Sequence, residues 1–167
     1  ETLTLEDNKI EEIDSNAFES LSNLDTLYLH TNRIIQIDSN TFNGLSSLRI
    51  LHLDNNLIES IHESSFKHLS SLRELLLFDN KLTRISPNTF KGLGNLEMLA
   101  LSNNQIEEID SELFQSLSNL RELYLNGNKL KKIDLKGLDK LERLWLDNNE
   151  ISSMELNDFV ALKILKI

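Results

Sequence analysis

The chain has no cysteine. That absence removes disulfides, zinc–thiolate sites and thiol catalysis together. It assigns no compartment, because cytosolic proteins and internal pieces of secreted ones can both lack cysteine. Mean hydropathy is −0.28. No apolar run reaches the length of about 18 residues that a membrane helix needs. The N-terminus lacks a basic-then-apolar leader, as a mature or trimmed chain also would. Asn-X-Ser/Thr sequons are missing, so nothing marks a glycosylated surface. Basic residues are in the minority, 17 against 27 acidic, and the net charge is −10. Such a charge opposes binding to nucleic acid or anionic lipid. The motifs GxSxG, GxxxxGK[ST], HExxH and DxDxDG are absent too. Neither an enzyme nor a cofactor or metal site is expected.

What is present is a period. Asparagine recurs at Asn8, Asn32, Asn56, Asn80, Asn104, Asn128 and Asn149. Five intervals are 24 residues and the last is 21. Each Asn follows a leucine by three places and precedes an aliphatic residue by two. A stride this strict means one structural unit, copied and stacked.

One copy reads Leu48, Leu51, Leu53, Asn56, Ile58, Ile61, Phe66, Leu69. The next reads Leu72, Leu75, Leu77, Asn80, Leu82, Ile85, Phe90, Leu93. Leu51 and Leu53 alternate with His52, the period-two signature of a short strand with one buried face. Beyond the Asn the apolar residues spread out, as in a loop folding back over a core. One copy buries too few side chains to offset the ordering of its own backbone, so copies must stack to fold.

Each Asn is expected to turn its amide inward and satisfy the backbone groups left unpaired where strand becomes loop. The phenylalanines at 18, 42, 66, 90 and 114 are expected to stack on the opposite side. Asp14, Asp38, Ser86 and Asp110 recur after the second isoleucine, where they can cap loop donors. The sixth unit is three residues short, with Leu135 in the place of Phe, which predicts a tighter turn and a local change of curvature. The last unit runs through Met154 and Phe159 to Ile167.

With these residues in frame, the chain resembles the leucine-rich repeat family, LxxLxLxxNxIxxIxxxxFxxLxx, in the 24-residue type common outside cells. The resemblance spans essentially the whole length. It implies a right-handed α/β-type solenoid of about seven repeats. A parallel sheet would line the concave face, and irregular or 3-10 turns the convex one. Residues 1–167 are expected to form a single repeat domain. No cysteine-bearing cap is present, which points to a fragment of a longer protein whose open ends meet something.

The informative positions are those the repeat does not dictate. They lie around the strand leucines, on the face turned away from the core. They include Tyr28, His30, Ile50, His52, Asp54, Glu74, Leu76, Phe78, Met98, Tyr124, Arg143 and Trp145. Packing does not require apolar residues there, and exposed apolar surface marks interaction sites. An acidic rim (Glu6, Asp7, Asp54, Glu74, Asp79, Glu122, Asp147) around aromatic centres suits a protein or peptide partner carrying basic residues. The plainer alternative is a scatter of hydrophobics. His30 is expected beside Asp54 and His52 beside Tyr28, a group able to grip a metal or titrate, although solvated histidines are the simpler reading. His62 and His68 fall on the convex side. Lys129, Lys131, Lys132, Lys136 and Lys140 form a basic run that suits an anionic partner or a solvated loop.

The resemblance further implies a non-enzymatic recognition module, secreted or part of a receptor ectodomain, in immunity or adhesion. The competing reading is a scaffold that self-associates through its concave face or its ends. An intracellular location stays open.

Overall fold

The computed structural model describes residues 1–153 and 161–167. Met154 and Phe159, assigned above to the last unit, lie outside the described residues. Ten short strands are present: β1 Thr2–Thr4, β2 Thr26–Tyr28, β3 Gln36–Ile37, β4 Ile50–His52, β5 Ser60–Ile61, β6 Glu74–Leu76, β7 Met98–Ala100, β8 Glu122–Tyr124, β9 Arg143–Trp145 and β10 Ile164–Lys166. Eight of them form one parallel sheet in chain order, β1-β2-β4-β6-β7-β8-β9-β10. Its register follows the repeat: Leu27 pairs with Leu51, Leu51 with Leu75, Leu75 with Leu99 and Leu99 with Leu123. The chain is therefore a parallel β-solenoid of about seven turns, with no helix among the described residues.

A second, two-stranded sheet joins β3 and β5 on the flank, pairing Gln36 with Ser60 and Ile37 with Ile61. Nothing in the spacing announced it.

The core fills the interior of the coil. The leucines at 51, 53, 75, 77, 99 and 101 are fully buried, as are Phe66, Phe90 and Phe114. Phe18, Phe42, Phe66 and Phe90 stack in series, with centroids 6.3, 5.8 and 6.3 Å apart. The convex side carries hydrogen-bonded turns. Each is closed by a donor three residues on, such as Leu69 N to the Phe66 carbonyl at 3.0 Å. In these turns Asp110 accepts from Glu112 N at 2.9 Å and Asp134 from Lys136 N at 3.0 Å. His62 does the same work, accepting from Ser64 N at 3.1 Å.

The asparagine ladder is present. Asn80 Nδ2 donates to the Leu53 carbonyl at 3.0 Å and to the Leu77 carbonyl at 3.1 Å. Its Oδ1 accepts from Ile58 N at 2.9 Å. Asn32, Asn56, Asn104 and Asn128 repeat this arrangement, and all are buried. Asn8 departs from it. It is exposed and bonds only within its own unit, to the Leu5 and Glu6 carbonyls, because no described coil precedes it.

The short sixth unit keeps the register. Tyr124 pairs with Trp145 as His52 pairs with Leu76. Leu135 and Leu138 remain buried. The missing residues are absorbed in the convex turn, and the sheet does not register them.

The residue before each ladder Asn has a left-handed backbone. Asp7, Thr31, Asn55, Asp79, Asn103, Gly127 and Asn148 all have φ between 52° and 70°. Asn, Asp and Gly tolerate that conformation; a β-branched residue does not. Thr31 is the exception in the series.

Candidate functional site

The strands of the large sheet are three residues long, and each turns its central leucine inward. In β4 the burial pattern puts Leu51 inward and leaves Ile50 and His52 half-buried on the concave side. The same alternation puts Tyr28, Glu74, Leu76, Met98, Tyr124, Arg143 and Trp145 on that face. His30, Asp54 and Phe78 continue it two residues beyond the strands. Among the described residues no second layer covers this sheet face, whereas parallel sheets are usually covered on both faces.

Two aromatic groups form on it. Toward the C-terminal end, Tyr124 and Trp145 stack at 4.4 Å with their planes 13° apart. Toward the N-terminal end, Tyr28 lies 4.9 Å from His52 and 6.0 Å from His30, and the two imidazoles are 6.2 Å apart. Leu76 and Ala100 separate the groups along the central row. Beside them, Ile50 and Met98 floor a hollow of about 330 Å³.

The charges differ from the sequence reading in three ways. First, His30 has no bond to Asp54. Its Nδ1 lies 3.2 Å from the Thr31 hydroxyl, and it is His52 that takes a carboxylate, with Nε2 2.7 Å from Glu74 Oε1. His52 has only Tyr28 and Leu76 beside it in its own row, and Glu74 in the adjoining row is the carboxylate it reaches. Among the described residues no three His, Asp or Glu side chains converge as metal ligands.

Second, three acids of the rim, Glu74, Glu122 and Asp147, are engaged within the face. Arg143 donates to Glu122 at 2.6 Å, Tyr124 donates to the other Glu122 oxygen at 2.6 Å, and Lys166 lies 3.5 Å from Asp147. Burial, followed by the Glu122 hydrogen bond, pushes the Tyr124 phenol up to about 12. Asp54 is not a rim acid at all, being only 6% exposed.

Third, a charged row borders the face and went unread. It runs Asp25, Arg49, Arg73, Glu97, Arg121, Glu142, Lys163 at the repeat stride. Asp25 pairs with Arg49, Arg73 with Glu97 at 2.6 Å, and Glu142 with Arg121 and Lys163, both at 2.8 Å. The Lys163 hydrogen bond holds the Glu142 carboxyl below its usual range, and the Arg49 hydrogen bond does the same for Asp25. The signal was legible as charged residues of both signs recurring at one phase of the repeat.

On the far side, Lys129, Lys131, Lys132 and Lys136 are exposed, and Lys140 donates to Asn119 at 2.7 Å.

A one-stranded-per-turn parallel solenoid, with a buried amide ladder and an uncovered concave sheet, defines a repeat protein built to present a surface. The particular family follows from comparison. The leucine-rich repeat model matches residues 1–58, 23–82, 46–106, 71–130 and 94–151. The chain belongs to the leucine-rich repeat family. No curated protein sequence matches it significantly. Among solved structures it is similar to the leucine-rich repeat domain of APL1B, with 28% identity and a TM-score of 0.87 over 99% of this chain and 49% of that one. It is similar to the APL1 leucine-rich repeat domain, with 29% identity and a TM-score of 0.87 over 99% and 42%. An internalin of Listeria monocytogenes matches at 29% identity and a TM-score of 0.80 over 99% and 47%. The chain thus spans just under half the length of these proteins.

Proposed function

We propose that the chain is a non-enzymatic recognition module that binds a protein or peptide on its concave face. The Tyr124–Trp145 stack carries this reading. Two large rings sit half-buried on a sheet face that none of the described residues covers with a second layer, and Tyr and Trp are enriched among the anchors of protein interfaces. The surface is an open curved wall, which suits a macromolecule better than a small molecule that needs enclosure.

The twelve concave positions named from the sequence are the contact surface in this proposal. At its N-terminal half Glu6, Asp7 and Asp79 join no ion pair among the described residues, which favours a partner with basic side chains there. The 24-residue repeat favours an extracellular setting, with the chain a single repeat domain within a longer protein. No helix among the described residues is long and apolar enough to cross a membrane.

The test is selection of a binding peptide from a display library, followed by calorimetry with variants. Tyr124→Ala with Trp145→Ala should weaken binding by about tenfold or more, while Lys67→Ala on the convex side should leave it unchanged. Equal affinity of parent and double variant would reject the face. Light scattering at rising concentration should show a monomer, because a dimer without ligand is what the self-associating scaffold predicts.

A further inference from the structure

We propose that Asp54 and the rings around it form a subsite for an arginine side chain of the protein partner. This rests on the concave-face reading and narrows it to one group of the ligand.

Asp54 sits on the concave side yet is only 6% exposed. Its Oδ2 accepts from Asn55 Nδ2 at 2.8 Å. Its Oδ1 is buried and has no hydrogen-bond partner. A buried acceptor without a donor carries the full cost of its lost hydration. The repeat does not demand an acid there: other copies carry His30, Phe78, Ser102 and Asn126, while Glu6 and Asp147, the two other acids of the row, also keep one oxygen buried without a partner.

Among the described residues no cation answers it. Asp54 belongs to no ion pair among the described residues, and the imidazole in its own repeat, His52, is turned to Glu74. The position after the ladder Asn is Lys9, Arg33 and Lys81 in the neighbouring copies, but Leu57 in this one.

The surroundings select the donor. Asp54 lies between His30 and Phe78 along its row, at the parallel-strand spacing of about 4.8 Å. His52 and Tyr28 stand in the adjoining row, with rings 4.9 Å apart. A guanidinium fits an unanswered carboxylate oxygen among rings. It is planar, stacks on aromatic faces, offers donors in a fork and is less strongly hydrated than an ammonium.

Thr31 is a second departure from local preference at this spot. Its β-branched backbone is held at φ 56° beside His30, and such strain collects at binding sites. The covered oxygen must be uncovered for entry. In this proposal His30, whose one polar contact is 3.2 Å to the Thr31 hydroxyl, gives way to admit the guanidinium.

The test needs no natural partner. The intact chain is titrated with Nα-acetyl-arginine N-methylamide while the His30 and His52 ring resonances are followed by NMR. The expected result is saturable shifts of both rings. They should be absent with the citrulline analogue, weaker with the lysine analogue, and lost in Asp54→Asn, which keeps the acceptor for Asn55. Asp54→Ser, which copies the residue found at Ser102, serves if Asp54→Asn does not fold. No saturable shift, an equal response to citrulline or lysine, or an undiminished response in the variants would overturn the subsite. Those outcomes leave the Tyr124 and Trp145 test untouched, so the two proposals fail separately.

Discussion

Asn149 donates to the Leu125 carbonyl at 2.9 Å, reaching back 24 residues, where Asn80 reaches back 27 to Leu53. The difference of three is the deletion in the sixth unit. Both amides reach the equivalent carbonyl, so the inner bonding of the solenoid is indifferent to the length of its outer loop. The ladder and the sheet carry the register, and the convex turn takes up the slack.

Removing one rung should therefore be expensive. Asn80→Ala strips bonds from the Leu53 and Leu77 carbonyls and from Ile58 N, all in a buried setting. The Leu53 carbonyl keeps Asn56 and the Leu77 carbonyl keeps Asn104 as donors, so Ile58 N is the group left orphaned, and the expected loss in urea unfolding is about 1–3 kcal/mol. Asn8→Ala, at an exposed site, should cost about 0.5 kcal/mol or less. Similar losses at both positions would contradict the ladder.

Thr31 occupies a left-handed slot filled elsewhere by Asp, Asn or Gly. Thr31→Asn should stabilise the chain by about 1 kcal/mol, because a left-handed backbone costs an ordinary residue about 1–2 kcal/mol and Asn less. A raised urea midpoint at unchanged m-value checks it. A lowered midpoint would show that the threonine side chain matters more than its backbone.

Gly44 has φ +89°, and a Cβ there would lie 2.6 Å from the Glu19 Cα of the preceding coil. Both terms oppose Gly44→Ala, which should cost about 2 kcal/mol or more. At Gly92, where φ is +98° and the nearest atom to a Cβ is the Lys67 carbonyl oxygen at 3.6 Å, only the backbone term remains and the loss should be smaller. Thermal melts of the two variants rank them.

Tyr124 should stay protonated well past the ordinary phenol range. Its folded value is raised to about 12 from 10.0, so the folded chain holds this proton more tightly than the unfolded one. The sign follows from linkage: the contribution is fully present below pH 10 and is lost as pH rises from 10 through 12. Ultraviolet titration of Tyr28→Phe, which leaves Tyr124 alone, should show no phenolate at pH 10. Replacing Glu122 with Gln should lower the midpoint. A midpoint near 10.0 in the parent background would show the phenol to be open to water.

Much of this was legible in the residues. The stride placed Leu27, Leu51, Leu75 and Leu99 on touching strands, because a parallel in-register stack leaves side chains of equal phase no other neighbour. The buried ladder and the phenylalanine row follow from the same logic. The left-handed series at Asp7, Asn55, Asp79, Asn103 and Gly127 was also readable, since those residue types share one backbone tolerance, but it went unread. What the stride could not say was which neighbour a side chain chooses. His52 had Tyr28 and Leu76 in its own row and took Glu74 from the next one. Asp54 read as a rim acid and proved buried with one oxygen unanswered.

The sequence by itself determined the coil: its turn length, the inward set of leucines and the asparagine at every bend. Repetition makes each local choice agree with the next, and a stacked register is the one arrangement that buries them all. Only the tertiary structure decided the character of the concave wall. Its pairings, from Tyr124 on Trp145 to Arg143 on Glu122, depend on rotamers and on burial by neighbouring coils. Those are properties of adjacent rows, and a pattern that treats every copy alike carries no information about them.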